Sequence, residues 1–253
     1  MLLRPRLNLI RDLLCSTKMT QTAQTHSHAQ SSPKNSHPHS QSHSNSKQSH
    51  PNDDKPQWHA PRDHNSKVHR HRPATQSAEQ SVYPLTLRVS SSLHDPINEL
   101  RKRYFPAHRL KVPAHLTLFH ALPHSRIQDV KETLDRVAGE TQAFRVSSGK
   151  VFKMGDQGVA IDPGMGTEEG KQLHAELKKD WSEFLSQQDS KQFKAHWTIV
   201  NKEDDKDKVE KALRDCKEWE AEGAPKEGEA SGLVLWRYNH GEWVFEQEWD
   251  FQR

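Results

Sequence analysis

The chain writes one phrase twice: PAHLTLFH at Pro113–His120 and KAHWTIVN at Lys194–Asn201. Aligned on their histidines, each copy reads Ala, His, an apolar residue, Thr and two more apolar residues. Side chains alternate faces along an extended strand, so His115 and Thr117 point one way while Leu116 and Leu118 point the other. The same alternation sets His196 and Thr198 against Trp197 and Ile199. Each strand therefore anchors its apolar side in a core and offers a His/Thr pair on its other side. Two halves facing each other about a pseudo-twofold axis bring two histidines and two threonines to one groove.

The segments around the repeat support such a duplication. VYPLTLRV, from Val82, is β-rich, and DPINELRKRYF has helical character, with Asp95 as its expected cap and Pro96 in its first turn. SRIQDVKETLDRVAG places Ile127, Val130, Leu134 and Val137 at helical spacing and is expected to stop at Gly139. FRVSSGKVFKM and GVAIDP read as strands, followed by the turn DPGMGT. TEEGKQLHAELKKDWSEFLSQQ has an apolar stripe of Leu173, Leu177, Trp181, Phe184 and Leu185, with Thr167 as its expected cap. A charged helix follows the second copy of the phrase and holds Val209, Leu213 and Cys216 on its inner side. Two strands joined by the turn NHG close the chain. One series of elements is thus run twice, and the expected fold is α+β: a bilobal duplicated domain over 82–253, with two antiparallel sheets flanking a central cleft.

The first 81 residues differ in kind. Residues 20–80 are Ser, Gln, Asn, His and Pro with few aliphatic side chains, too little apolar surface to offset the entropy of ordering, and a disordered tail is expected. Ten of the eighteen histidines fall there, so histidine count alone does not point to the repeat. The tail carries 11 basic and 5 acidic residues against 26 and 29 in the remainder, a net +6 against −3. A slightly acidic body argues against a broad surface tracking the phosphates of long nucleic acid. Residues 1–19 are basic and amphipathic in the manner of an organelle-targeting segment, with Met19 an alternative start, which leaves cytoplasm and mitochondrion as the two compartments to consider. Neither a Cys-x-x-Cys nor a Cys/His zinc spacing occurs, and no apolar run reaches membrane-spanning length.

Paired histidines and threonines suit a phosphodiester. A neutral imidazole takes a proton from the attacking hydroxyl or water, a protonated one gives a proton to the departing oxygen, and the rate is expected to follow a bell between about pH 5 and 8. The threonine hydroxyls donate to the non-bridging phosphate oxygens. This chemistry needs no metal and no cofactor. Two other readings stay open: a non-catalytic module holding a phosphorylated RNA end in the same cleft, and an interaction protein whose His-rich tail recruits metal or partners while the folded part is only a scaffold. Trp236 and Tyr238 share one face of a late strand and are candidates to stack on a base. His120 falls on the Leu116 and Leu118 face, away from the cleft, and His174 reads as a boundary residue.

The two H-x-T-x strands, His115-Leu116-Thr117-Leu118 and His196-Trp197-Thr198-Ile199, resemble the paired signature of the two-histidine phosphoesterase superfamily, in its 2′-5′ RNA ligase-like branch. AHLTLFHALP, AHWTIVNK and GLVLWRYNHGEW are similar to a subgroup common in fungi, over about Val82 to Phe251. The resemblance implies a bilobal monomer that acts without metal on 2′,3′-cyclic phosphates or 2′-5′ linkages. Its substrates would be RNA 3′ ends or small cyclic nucleotides, with reversible 2′-5′ ligation an alternative activity. It makes His115 and His196 catalytic and Thr117 and Thr198 substrate-binding. Where relatives follow the second motif with Arg, this chain has Asn201-Lys202, and Lys202 is the candidate to supply that positive charge to the phosphate.

Overall fold

The structure is a computed structural model, and it describes residues 71–76, 78–223 and 226–253. The targeting-like segment and nearly all of the His-rich tract lie outside the described residues. Eleven elements follow in the expected order: β1 (Val82–Val89), α1 (Ser91–Tyr104), β2 (Leu116–Pro123), α2 (Ile127–Glu140), β3 (Phe144–Lys153), β4 (Val159–Pro163), α3 (Thr167–Trp181), β5 (Trp197–Val200), α4 (Lys206–Ala221), β6 (Glu227–Asn239) and β7 (Glu242–Asp250). The body extends upstream of Val82, since the Ala74 amide donates to the Phe184 carbonyl (3.1 Å) and the Glu79 carboxylate takes the Ser125 amide and hydroxyl.

The strands pair antiparallel in the order β1-β2-β5-β4-β3-β6-β7, and β1 also pairs with β6. Strands 1, 2 and 3 of the first pass correspond to 4, 5 and 6 of the second. Exchanging the two sets turns the order β6-β1-β2-β5-β4-β3 into its own reverse, which is a twofold axis between β2 and β5. The expected antiparallel halves, β6-β1-β2 and β5-β4-β3, are therefore continuous across two seams, one at β2–β5 and one at β3–β6. Each pass lends its third strand to the other half, which ties the halves together.

Helix packing follows the apolar stripes. Leu93, Ile97 and Leu100 of α1 are buried, and α1 lies on β5 and β6. Val209, Ala212 and Cys216 of α4 are buried where it lies on β3. Leu134 and Val137 of α2 and Leu177 and Trp181 of α3 are buried where these two helices pack on each other.

Two helix starts differ from expectation. α1 begins at Ser91, so Pro96 sits inside it, in the second turn, and Asp95 is no cap. Before α3 the cap position is Gly166 at φ +81, and the Thr167 hydroxyl donates back to the Pro163 and Gly164 carbonyls instead of accepting a helix amide. A Cβ at Gly166 would stand 2.7 Å from the Arg145 carbonyl and 2.8 Å from the Val146 side chain, so close approach to β3 decides that cap.

Candidate active site

At the β2–β5 seam the two halves are joined by one antiparallel pair, Leu116 opposite Trp197. These are the middle residues of the two His-x-Thr motifs, and both side chains are buried, 1% exposed each. Antiparallel register about that pair sets His115 opposite Thr198 and Thr117 opposite His196. Side chains directly opposite one another lie about 5 Å apart at Cβ. All four project from the face opposite the buried pair, and all four are partly exposed. The repeated phrase thus becomes one polar quartet astride the axis.

Each imidazole is fixed in the same way. His115 Nδ1 bonds the Pro113 carbonyl at 2.7 Å, and His196 Nδ1 bonds the Lys194 carbonyl at 2.9 Å. A carbonyl only accepts, so Nδ1 carries the proton in both rings and Nε2 is the atom left to work on a substrate.

The surroundings break this symmetry. His115 keeps some exposed area, but dense packing around its ring desolvates it; that desolvation, and next the charge of Arg101, push the imidazole down to about 3, although its bond to Pro113 opposes them. Its ring also packs 4.4 Å from that of Trp243. His196 instead faces Phe152 edge-on at 6.2 Å. The β4–β5 register, with Ile161 opposite Trp197, makes Asp162 its cross-strand neighbour. Burial raises the Asp162 carboxyl above its ordinary value, and His196 opposes that rise.

Arg101 was not singled out from the sequence. It is 4% exposed, and desolvation lowers its guanidinium to about 10. Its Nη1 donates to the Thr198 carbonyl at 2.6 Å and its Nε to the Val112 carbonyl at 3.2 Å, with the guanidinium 3.9 Å over Phe105. One buried cation thereby joins the second motif to the segment leading into the first. The signal was present, since Arg101 continues the Leu93 and Ile97 stripe at helical spacing, a charge on an apolar face.

His120 is a correction. The β1–β2 register passes from Leu85 opposite Phe119 to Thr86 opposite Thr117, so β2 carries one extra residue between those pairs. The bulge puts Phe119 into the core, 0% exposed, and turns His120 to the Thr117 side. Its Nδ1 donates to Asp189, whose buried carboxylate also takes the His120 and Ala121 amides and the Ser186 hydroxyl. Burial alone would raise Asp189, but the His120 and Ser186 hydrogen bonds hold it below its ordinary value. His174 is likewise core rather than boundary, 4% exposed between the stacked rings of Phe119 and Phe193 at 4.5 and 4.8 Å.

Lys202 follows β5 in the left-handed region, φ +58, with an exposed side chain that makes no hydrogen bond or ion pair among the described residues. Its carbonyl accepts from Arg109 (3.1 Å). Trp236 is half-buried with its indole Nε1 donating to Thr86 at 2.9 Å, whereas Tyr238 is 45% exposed. A cavity of about 390 Å³ between α1 and α4, lined by Arg103, Asp215 and Trp219 among others, contains none of these groups. Among the described residues no cluster of three or more His, Cys, Asp or Glu has the arrangement of a metal site, and no helix is long and apolar enough to cross a membrane.

The sequence profile of the 2′-5′ RNA ligase superfamily matches residues 89–242, and the chain belongs to that family. Members of that family are generally phosphodiesterases or RNA ligases, and at that coarse level membership supports an enzyme. Among solved structures it is similar to E. coli LigT complexed with 3′-AMP at 12% identity, covering 68% of this chain and 99% of that one with a TM-score of 0.48. It is also similar to TT0787 of Thermus thermophilus at 16% identity, covering 68% and 98%, with a TM-score of 0.48. Among curated proteins, none matches in sequence.

Proposed function

We propose that the protein is a metal-independent phosphodiesterase that opens a 2′,3′-cyclic phosphate, with His115 as general base and His196 as general acid. The observation that carries this reading is the pair of imidazoles, each with Nδ1 held by a carbonyl and Nε2 released, in opposite electrostatic settings. His115 lies near the Arg101 cation, which favours a neutral ring able to accept a proton. His196 lies beside the Asp162 carboxylate, an anionic neighbour suited to a ring that gives one up.

In the reaction, His115 Nε2 removes a proton from water as its oxygen bonds to phosphorus. The bond from phosphorus to one ribose oxygen breaks, and that oxygen takes the proton from His196 Nε2. The product is a phosphomonoester beside a free hydroxyl. Thr117 and Thr198 donate to the non-bridging oxygens as charge gathers there. Lys202, at the end of β5, adds a positive charge toward the same phosphate. The low titration of His115 moves the acid side of the expected bell below the pH 5 to 8 window. Affiliation with the fungal subgroup rests on the quoted segments AHLTLFHALP and GLVLWRYNHGEW.

The test uses the full chain with EDTA, a nucleoside 2′,3′-cyclic phosphate and product chromatography. The parent should turn over, and His115→Ala and His196→Ala should each lose at least about a hundredfold. An inert parent, or variants as active as the parent, overturns the assignment.

A further inference from the structure

Strand pairing alone would carry the β6–β7 turn away from the quartet. β6 pairs with β1 so that residues beyond Leu235 run toward the Val82 end, which on β2 is the Pro123 end, opposite His115. Yet Trp243, at the start of β7, packs on His115, and the His240 carbonyl at the turn accepts from Lys111 Nζ at 3.3 Å. The hairpin must therefore curl over the face that carries the quartet. Its local construction allows this. The β6–β7 register shifts between Leu235 and Trp236, a bulge that sharpens twist, and His240 and Gly241 both take positive φ in a tight two-residue turn.

The curled hairpin presents aromatic rings in sequence. Trp243 lies next to His115, Trp236 stands behind it at 6.3 Å, and Phe245 meets Trp236 edge-on at 6.2 Å. Tyr238, opposite Trp243, and Phe245 are 45% and 42% exposed, among the most exposed large apolar side chains described. Beside them runs the loop between α1 and β2. Arg109 is held to the Lys202 carbonyl and Lys111 to the His240 carbonyl, so both cations are positioned by backbone oxygens. Among the described residues neither is in an ion pair with a carboxylate. Exposed rings next to unneutralised cations, continuous with a phosphodiester site, match what a single-stranded nucleic acid needs: faces for its bases and charges for its phosphates.

We propose, resting on the reading above, that the β6–β7 hairpin and the 107–112 loop bind the nucleotides upstream of the scissile phosphate. Tyr238 and Phe245 stack on their bases and Arg109 and Lys111 meet their phosphates, so the preferred substrate is a single-stranded oligonucleotide end rather than a mononucleotide. With Lys202, these cations suffice for a few phosphates, consistent with the acidic balance of the body as a whole.

The experiment compares adenosine 2′,3′-cyclic phosphate with the trinucleotide ApApA ending in the same cyclic phosphate, using the full chain. kcat/KM should be at least about tenfold higher for the trinucleotide, a value corresponding to stacking of one base. In the Y238A/F245A double variant the trinucleotide-to-mononucleotide ratio should fall toward one. In Lys111→Glu the ratio should fall and the salt dependence of trinucleotide cleavage should weaken. Equal kcat/KM on both substrates in the parent, or a ratio unchanged in both variants, overturns the proposal while leaving the catalytic reading intact. If neither substrate turns over, anisotropy of a fluorescein-labelled ApApA decides: binding lost in Y238A/F245A supports the surface without the chemistry, and no binding by the parent overturns it.

Discussion

Replacing Arg101 by Met tests whether one buried cation organises both motifs. Met keeps much of the volume on α1 but removes donors to the Thr198 and Val112 carbonyls. Each charge-assisted hydrogen bond is worth about 1.5–3 kcal/mol, so about 3–6 kcal/mol is lost, and the newly buried Met methylenes return about 1–2. The net cost of about 1–5 kcal/mol should appear in a urea melt as a lower midpoint at unchanged slope. Catalysis should fall further than stability explains, because Thr198 belongs to the quartet and a misplacement near 1 Å costs about a hundredfold. The sign of the pH effect follows from the charge. Arg101 disfavours a proton on His115, so its removal raises that imidazole's pKa and moves the acid limb of kcat/KM to higher pH. Arg101→Lys keeps the charge but on a single donor nitrogen, and should leave the limb near its parental position while recovering only part of kcat. A folded Arg101→Met protein with parental kcat and an unmoved acid limb would refute the reasoning.

Other outcomes follow from the same structure. Burial, and then Lys178, push His174 down to about 4, below the ordinary value of 6.5. As pH falls through that interval the unfolded chain takes up a proton that the native ring refuses, so stability present above 6.5 is lost toward 4. His174→Phe should flatten part of that loss in urea melts run across this range, and an unchanged slope would place the acid sensitivity elsewhere. Lys202→Gly relieves a left-handed backbone at φ +58 and should match or raise the parental Tm, whereas Lys202→Ala keeps the strain. Both should lower kcat/KM on the cyclic phosphate about equally if the ammonium acts on phosphate, and a loss in neither removes it from the site.

The fold class, the order of all eleven elements and the duplication were legible in the residues alone, because strand alternation and helical stripes are local properties of the chain. So was the polar face of each motif strand, since Leu116, Trp197, Leu118 and Ile199 had to be the buried side. Helix caps were less legible: Gly166 is chosen by its distance to β3, and β3 is a partner from elsewhere in the chain. The face of His120 was misread because a bulge of one residue reverses alternation and leaves no mark in the residues themselves. Long-range packing was needed to show that the two halves meet at Leu116 and Trp197, which sets each histidine across from the other motif's threonine. It alone distinguished the two histidines, whose local sequences and Nδ1 bonds are alike. Arg101 comes from a helix 14 positions earlier than His115 and Asp162 from a strand across the sheet, and a charge acts through space on whatever the fold brings near.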